Sequence, residues 1–367
     1  MAKKTAEQMK HIRCVYEDDK VEISIGETQT IIPAHETTCP AAYMFKLANG
    51  EIVAGGSQGF PAPEPTSWRR SKDGGRTWCE TPGWPTHNAY QFPDGEIIHL
   101  SSTWLVGAGR KGDYQTKLYR STDNGYTHKE ETTTLTDIPE LFEFSPEEGT
   151  KAGYAYIDHA IVGLSDGSLL ASGHAGFNAD YEKSFKWRTV VVRSVDRGKT
   201  WQYLATVAFD LTKEQNLRLD GFCEPHLLLL PNGEILCFMR TGGAYRNRAY
   251  RPLYMSRSDD NGKTWSNADP VADRGVYPKS CLMENGVIAV VYGRPGDWLM
   301  FSLDNGHTWL GHFCLYHGAL AYDAGNYDWI EAVGPDTVLV AYARTDPNDS
   351  EGIKSAIVGT YVTVKRK

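Results

Sequence analysis

Apolar residues recur along the chain as pairs of short runs separated by a polar turn. In five places an apolar run, an Asn-Gly or Asp-Gly dipeptide and a second apolar run follow one another. Such dipeptides between apolar runs are the strongest short-range signal of a β-hairpin, so each pair predicts two antiparallel strands joined by a two-residue turn. The turns lie at Asn49-Gly50, Asp94-Gly95, Asp166-Gly167, Asn232-Gly233 and Asn285-Gly286, with a weaker sixth turn at Pro335-Asp336.

A second repeat, the octapeptide Ser-x-Asp-x-Gly-x-Thr-aromatic, follows each of the five stronger hairpins. In one copy His128 takes the place of the Trp that ends the other copies. Within this octapeptide Asp accepts backbone N–H groups of its own turn, Gly supplies a positive φ, and the aromatic residue starts a strand. We therefore expect a structural turn without catalytic function. The aspartates of the five copies are Asp73, Asp123, Asp196, Asp260 and Asp304.

The spacing of the hairpins predicts the fold. Six hairpins in 367 residues give about 61 residues per repeat, which is typical of propeller blades and not of helical repeats. The sequence thus predicts an all-β fold, a six-bladed β-propeller that forms one domain over residues 1–367. Two segments of alternating apolar residues, 21–32 and 354–364, are expected to pair and complete the last blade.

Composition narrows the classes of function. The chain is 41% hydrophobic and 23% charged, as in ordinary globular proteins, and its net charge of −8 argues against a nucleic-acid binder. Neither a long apolar span nor a secretory leader is evident, so we expect no membrane partner and a cytoplasmic location, or a secreted or periplasmic one if a leader has been removed. The seven cysteines form no CxxC pair, and we predict neither a metal nor a cofactor.

Candidate site residues follow from the register of the predicted blades. In a propeller the ligand site lies over the central channel, where the inner strand of each blade starts and its second strand ends. Counting from the turn glycines, and from Asp336 in the sixth hairpin, places Asp158, Glu224 and Tyr327 at inner-strand starts. It places His174, Arg240, Arg294 and Arg344 at second-strand ends, with His87 and His159 one position beyond the register. Three arginines at one level predict an anionic ligand, because a guanidinium binds a carboxylate through two parallel hydrogen bonds.

The octapeptides resemble the Asp-boxes of the sialidase superfamily, and the resemblance covers nearly the whole chain. The segment from Glu224 to Arg240 resembles the one that carries the sialidase Glu and, 16 residues later, the second arginine of the substrate-carboxylate triad. Gly293-Arg294-Pro295-Gly296 resembles the segment of the third triad arginine, and Gly325-Asn326-Tyr327 resembles that of the nucleophilic tyrosine. The resemblance implies that Glu224, Arg240, Arg294 and Tyr327 belong to an active site.

Two departures from the sialidase pattern leave the acid/base residue open. The stretch that matches the first triad arginine reads Thr38-Cys39-Pro40, without a cation. The loop after the first hairpin, where sialidases carry their acid/base aspartate, offers only Glu64. We expect that Glu64, Asp158 or a histidine such as His159 takes this role, or that the reaction differs.

The resemblance implies an exo-acting glycoside hydrolase that removes an acidic or otherwise modified terminal sugar from a glycan. Tyr327 and Glu224 would form the nucleophile pair, and Arg240, Arg294 and Arg344 would bind the substrate carboxylate. One alternative is a lyase acting on a uronate-containing glycan, with a tyrosine or a histidine as base; the candidate histidines are His87, His159, His174 and His226. Another alternative is a non-catalytic glycan-binding propeller in which tryptophans such as Trp68 stack on sugar faces.

Overall fold

The computed structural model of the protein describes residues 13–36, 40–58, 67–86, 88–101, 105–144, 152–181, 186–209, 221–241, 251–317, 327–345 and 354–367. Among these residues the fold is all-β apart from one four-residue helix, α1, at Asn178–Tyr181. No helix within those ranges is long and apolar enough to cross a membrane. The chain divides into two compact units: the first consists of Met1–Gly83 and Lys279–Lys367, and the second of Trp84–Pro278. That the whole chain forms one domain remains a prediction.

The strands are numbered in chain order. The first are β1 (Arg13–Glu17), β2 (Val21–Glu36), β3 (Pro40–Lys46), β4 (Ile52–Gln58), β5 (Ser67–Ser71) and β6 (Cys79–Glu80). Next come β7 (Ala89–Gln91), β8 (Ile97–Leu100), β9 (Val106–Gly107), β10 (Tyr114–Ser121), β11 (Lys129–Thr136), β12 (Glu143–Phe144), β13 (Ala152–Gly153), β14 (Ala155–Gly163), β15 (Leu169–Ala175), β16 (Arg188–Ser194), β17 (Thr200–Ala208), β18 (Cys223–Leu229), β19 (Ile235–Arg240), β20 (Leu253–Ser258) and β21 (Asp269–Ala272). The last are β22 (Val276–Leu282), β23 (Ile288–Gly293), β24 (Asp297–Ser302), β25 (Leu310–Tyr316), β26 (Trp329–Gly334), β27 (Thr337–Thr345) and β28 (Lys354–Arg366).

The first unit contains antiparallel sheets with the strand orders β1-β2-β28-β27-β26 and β3-β4-β5-β6, and it contains β23, β24 and β25 of the sheet β22-β23-β24-β25. The predicted pairing of the two terminal segments is confirmed, since β2 and β28 pair from Val21↔Arg366 to Glu36↔Lys354. Alternate residues of these strands point into the core, where Val21, Ile23 and Val364 are fully buried. The burial of one face fixes the register, because a slip of one residue would expose that face.

The second unit contains a nine-stranded sheet with the order β14-β15-β16-β17-β11-β10-β8-β7, in which β9 pairs with β10. Two antiparallel sets meet in this sheet where β11 and β17 run parallel, at Thr134↔Thr200 and the following residues. The strands β18-β19-β20-β21 form a separate antiparallel sheet, and β12 pairs with β13. The core of the large sheet includes Trp201, which is fully buried.

The five stronger hairpins are confirmed, but the predicted two-residue turn is wrong. In the first hairpin the Leu47 N–H donates to the Glu51 carbonyl and the Gly50 N–H donates to the Leu47 carbonyl. The loop is therefore three residues long and ends on Gly50, whose φ is +86°. The Asn49 side chain accepts the Glu51 N–H at 3.0 Å, and this bond sets the turn. The same bonds recur in the other four hairpins.

The octapeptides form the predicted local turn. In the first copy the Ser71 hydroxyl donates to Asp73 at 2.8 Å and accepts the Gly75 N–H at 2.8 Å. Asp73 also accepts the Thr77 N–H at 2.9 Å and the Thr77 hydroxyl at 2.7 Å. These bonds, led by the Thr77 hydroxyl, lower the pKa of Asp73 to about 2. The bonds to Ser, Gly and Thr recur in the other copies.

The copy that ends in His128 uses a tryptophan from elsewhere in the chain. The Trp84 indole N–H donates to the Gly125 carbonyl at 3.1 Å, as the Trp201 indole does to Gly198 at 3.1 Å in the next copy. The Trp84 ring is 6% exposed, and the His128 ring packs edge-on against it. Trp84 is therefore a core residue that replaces the missing Trp of the octapeptide.

Candidate functional site

Glu224, in the second unit, is held by hydrogen bonds at the start of β18. One carboxylate oxygen accepts Arg240 Nη1 at 2.7 Å, and the other accepts the Tyr277 N–H at 3.1 Å. Arg240 is in reach because it ends β19 directly opposite Cys223 in the strand register. The φ angles of Glu224 and Tyr277 are +44° and +47°, a left-handed region that costs a non-glycine residue roughly 1 kcal/mol. The contacts therefore fix this carboxylate at the cost of local strain, as is typical of functional sites.

His174 lies beside Glu224 and is held as a neutral side chain. Its Nδ1 accepts the Glu224 backbone N–H at 3.3 Å, so the proton of the neutral ring is on Nε2. The ring stacks on Tyr156 at 5.1 Å and meets the edge of Trp187 at 4.5 Å. Burial lowers the pKa of His174 to about 4, against the opposing effect of the Glu224 charge. At neutral pH His174 therefore acts as a hydrogen-bond acceptor toward the Glu224 backbone.

Arg294 and Tyr327 come together in the first unit. Arg294 directly follows β23, and its guanidinium carbon lies 5.8 Å from the centre of the Tyr327 ring. Both residues are half-buried. The Tyr327 carbonyl accepts the Ala42 N–H at 2.8 Å, which fixes the tyrosine backbone against β3. Two of the residues that match sialidase segments thus form a cation–π contact.

Next to this contact lie Asp297 and Asp328, two aspartates that the sequence reasoning missed. Asp297 begins β24, Asp328 directly follows Tyr327, and each is 1% exposed. Burial raises the pKa of Asp328 well above its ordinary value, the neighbouring Asp297 carboxyl adds to the increase, and the Arg294 charge opposes it. Their positions could have identified them from the sequence, because Asp297 lies three residues after Arg294 and Asp328 lies one residue after Tyr327.

The other predicted site residues are placed as follows. Arg344, in β27, is exposed, and its guanidinium carbon lies 5.7 Å from the Tyr316 ring centre. His226 is half-buried in β18. Trp68 is 6% exposed and packs its ring over Gly55 and Gly83, as a core residue does. Glu64 and His87 lie outside the described residues; Asp158 and His159 belong to β14, but their side chains also lie outside the described part.

The structure therefore joins the predicted residues in two groups, Glu224 with Arg240 and His174, and Arg294 with Tyr327. Two predictions involve residues of both units and remain predictions. They are the pairing of Tyr327 with Glu224 and the placement of Arg240, Arg294 and Arg344 at one level of the blades. In the described part of the chain, no group of three or more His, Cys, Asp or Glu side chains is arranged to hold a metal ion.

Residues 84–330 match the family described as the BNR repeat-like domain. The chain belongs to this family. The resemblance to the sialidase superfamily is thereby confirmed at the level of the superfamily. A comparison with curated proteins finds no match.

Solved structures similar to this BNR repeat-like protein confirm the class of fold. A protein of unknown function from Dyadobacter fermentans is 20% identical with a TM-score of 0.65, covering 96% of this chain and 99% of that one. An α-L-arabinanase from Penicillium chrysogenum, complexed with arabinobiose, is 18% identical with a TM-score of 0.62, covering 92% and 98%. A mutant of the NanB sialidase from Streptococcus pneumoniae is 13% identical with a TM-score of 0.60, covering 91% and 70%. The fold is that of a β-propeller, and the count of six blades remains a prediction.

Proposed function

We propose that the protein is an exo-acting, sialidase-like glycoside hydrolase that removes an acidic or otherwise modified terminal sugar from a glycan. The observation that best supports the proposal is the pairing of the four residues that match sialidase segments. Glu224 contacts Arg240 at 2.7 Å, and Arg294 lies over Tyr327 at 5.8 Å. The similar folds of an arabinanase and a sialidase agree with a hydrolase of glycosidic bonds.

In the proposed reaction the Tyr327 hydroxyl attacks the anomeric carbon while its proton passes to Glu224. The bond from the phenolic oxygen to that carbon forms as the glycosidic bond breaks. Glu64, Asp158 or His159 protonates the departing oxygen and then takes a proton from the water that releases the sugar. A neutral nucleophile suits an anionic sugar, because a carboxylate nucleophile would be repelled by the substrate. The contact with Arg240 keeps Glu224 ionised and ready to accept the proton.

The arginines of the site favour a substrate that carries a negative charge. Arg240 contacts Glu224, and a substrate anion would be bound by Arg240 and Arg294 together with the exposed Arg344. A screen of aryl glycosides therefore contains two arms, acidic sugars and neutral sugars that include an α-L-arabinofuranoside, with product masses as the readout. Turnover in the acidic arm supports the proposed role of the arginines. Turnover only in the neutral arm supports a glycosidase and contradicts that role.

The lyase alternative requires a base that can reach the substrate. His174 does not fit this role, since its Nδ1 is occupied by the Glu224 N–H and the residue is 7% exposed. A lyase forms an unsaturated product that absorbs in the ultraviolet, whereas a hydrolase forms a reducing sugar and adds the mass of water. The product therefore distinguishes the two reactions directly.

The variant Tyr327→Phe tests the nucleophile. It removes the attacking oxygen but keeps the ring beneath Arg294, so we expect kcat to fall by about 10³-fold or more while ligand binding persists. The matched control is Tyr126→Phe, at an exposed tyrosine of an octapeptide, which should leave kcat unchanged. Near-normal turnover by Tyr327→Phe would contradict the proposed mechanism.

A further inference from the structure

Two histidines of the second unit come together in a contact that the proposed reaction does not use. His99 lies in β8 and is fully buried, and His128, the last residue of the second octapeptide, is half-buried. Their Nε2 atoms are 3.2 Å apart. The two residues are separated by 29 positions, so no short metal-binding motif marks them in the sequence. The fold alone creates this pair.

The separation of the two rings does not fit a straight hydrogen bond. In a straight N–H···N bond the ring axes lie along the line between the nitrogens, so the ring centres would be about 5.5 Å apart at this nitrogen distance. The observed distance between the ring centres is 4.9 Å, and the rings are inclined by 74°. The contact between His99 and His128 is therefore bent, and a bent hydrogen bond is weak.

The same two distances fit a pair of imidazoles that bind one metal ion. Two nitrogens that are each about 2.1 Å from an ion and 3.2 Å from each other subtend an angle of about 100° at that ion. The centres of the two rings would then lie about 5 Å apart, close to the 4.9 Å observed between His99 and His128. An angle of about 100° lies between the square-planar and tetrahedral values.

Trp84 holds both imidazole rings in place. Its ring packs edge-on against His99 at 4.8 Å and against His128 at 6.1 Å, with interplanar angles of 85° and 72°. Trp84 is itself fixed by the bond from its indole N–H to the Gly125 carbonyl. Ligands that packing has already ordered lose little freedom when they bind an ion. Because His128 is half-buried, an ion can reach the pair from the solvent side.

We propose that His99 and His128 form a binding site for a late first-row divalent ion, Zn²⁺, Ni²⁺ or Cu²⁺, whose remaining ligands are water. Neutral imidazole suits these ions, whereas Mg²⁺ and Ca²⁺ prefer oxygen ligands. The ion joins β8 to the second octapeptide across β10, which lies between β8 and β11 in the sheet. Its role is structural, because an ion that binds the folded protein stabilises it. The site is independent of the proposed hydrolase function.

The first experiment measures thermal unfolding of protein without a histidine tag, first in EDTA and then with Zn²⁺ up to about 0.5 mM. We expect the unfolding midpoint to rise by about 3 °C when the ion reaches ten times its Kd. In His128→Gln the side-chain amide can still hydrogen-bond to His99 but cannot act as an imidazole ligand, so the shift should disappear. His99→Gln removes the other ligand and should have the same effect.

The matched control is His307→Gln, at an exposed histidine of the fifth octapeptide, and it should keep the shift. A wild-type protein that Zn²⁺ does not stabilise, or an equal shift in His128→Gln, would overturn the proposal. If the buried His99→Gln variant does not fold, the half-buried His128→Gln variant decides the question alone.

The second experiment identifies the ligands directly. Electron paramagnetic resonance of the protein with one equivalent of Cu²⁺, which binds nitrogen ligands most tightly among these ions, should show hyperfine splitting from two imidazole nitrogens. The splitting should change in His128→Gln and stay the same in His307→Gln. A spectrum that His128→Gln leaves unchanged would place the copper elsewhere and refute the site. Neither experiment uses a glycoside, so a failed search for a substrate contradicts the hydrolase proposal and leaves this one to its own test.

Discussion

The neutral state of His174 makes the stability of the protein depend on pH in a way that one substitution can remove. Its pKa is about 4 in the folded protein and 6.5 ordinarily, a difference of about 2.5. Because the unfolded chain binds the proton more readily, the free energy of unfolding falls as the pH decreases from 6.5 to 4. At about 1.4 kcal/mol for each unit of pKa, the loss amounts to about 3 kcal/mol.

The variant His174→Asn tests this value. The amide oxygen of Asn can accept the Glu224 N–H in place of Nδ1, but Asn does not titrate. At neutral pH we expect the variant to be about 2 kcal/mol less stable, because it loses packing against Tyr156 and Trp187. As the pH falls through the same window the deficit should shrink and reverse, with the variant about 1 kcal/mol more stable at the acid end.

Urea unfolding followed by tryptophan fluorescence, repeated at a series of pH values, measures the difference between variant and wild type. The difference is informative because contributions from other groups cancel in it. The control is His307→Asn, at an exposed histidine. A constant offset between His174→Asn and wild type across the window would refute the assignment of a neutral, buried histidine.

Two further predictions concern buried charges. Burial raises the pKa of Glu331 from 4.5 to about 7, so its contribution to stability is present in acid and is lost as the pH rises through 7. In the same urea series the wild-type free energy of unfolding should lose about 3 kcal/mol from this group, and Glu331→Gln should remove that loss. An unchanged dependence of the unfolding free energy on pH in Glu331→Gln would contradict the assignment. Glu224 and Arg240 form an ion pair whose side chains are each 11% exposed, so Glu224→Gln or Arg240→Met alone should lower the free energy of unfolding by about 3 to 5 kcal/mol. A double-mutant cycle should show a coupling energy above about 1 kcal/mol, whereas additive losses would contradict the ion pair.

The features of the fold that depend on neighbouring residues are predictable from the sequence. The octapeptide turn depends on residues within eight positions, so the bonds of Asp73 to Ser71 and Thr77 follow from their spacing. The hairpins were equally readable, although the turn type was not. The Asn49 side chain accepts the Glu51 N–H, two residues further along the chain, in a loop of three residues. Composition alone does not distinguish this arrangement from an Asn-Gly turn of two residues.

The candidate site was predictable in part. Matching segments identified Glu224 and Arg240, and antiparallel pairing of their strands explains why residues 16 apart in sequence form an ion pair. Asp297 and Asp328 were missed because nothing in their own segments marks an aspartate as buried. The raised pKa of Asp328 arises from its burial and from the neighbouring Asp297 carboxyl. Both effects depend on strands that are distant in sequence.

The pairing of β2 with β28 has a consequence for the synthesis of the chain. Thr28 and Thr360, whose hydroxyls are 2.6 Å apart, are separated by 332 positions. The sheet they share cannot form until residues 354–366 have left the ribosome, whereas the second unit is one continuous stretch, Trp84–Pro278, and is available for folding earlier. A nascent or truncated chain without residues 354–366 leaves the 16-residue strand β2 with an unpaired edge, which is a template for aggregation.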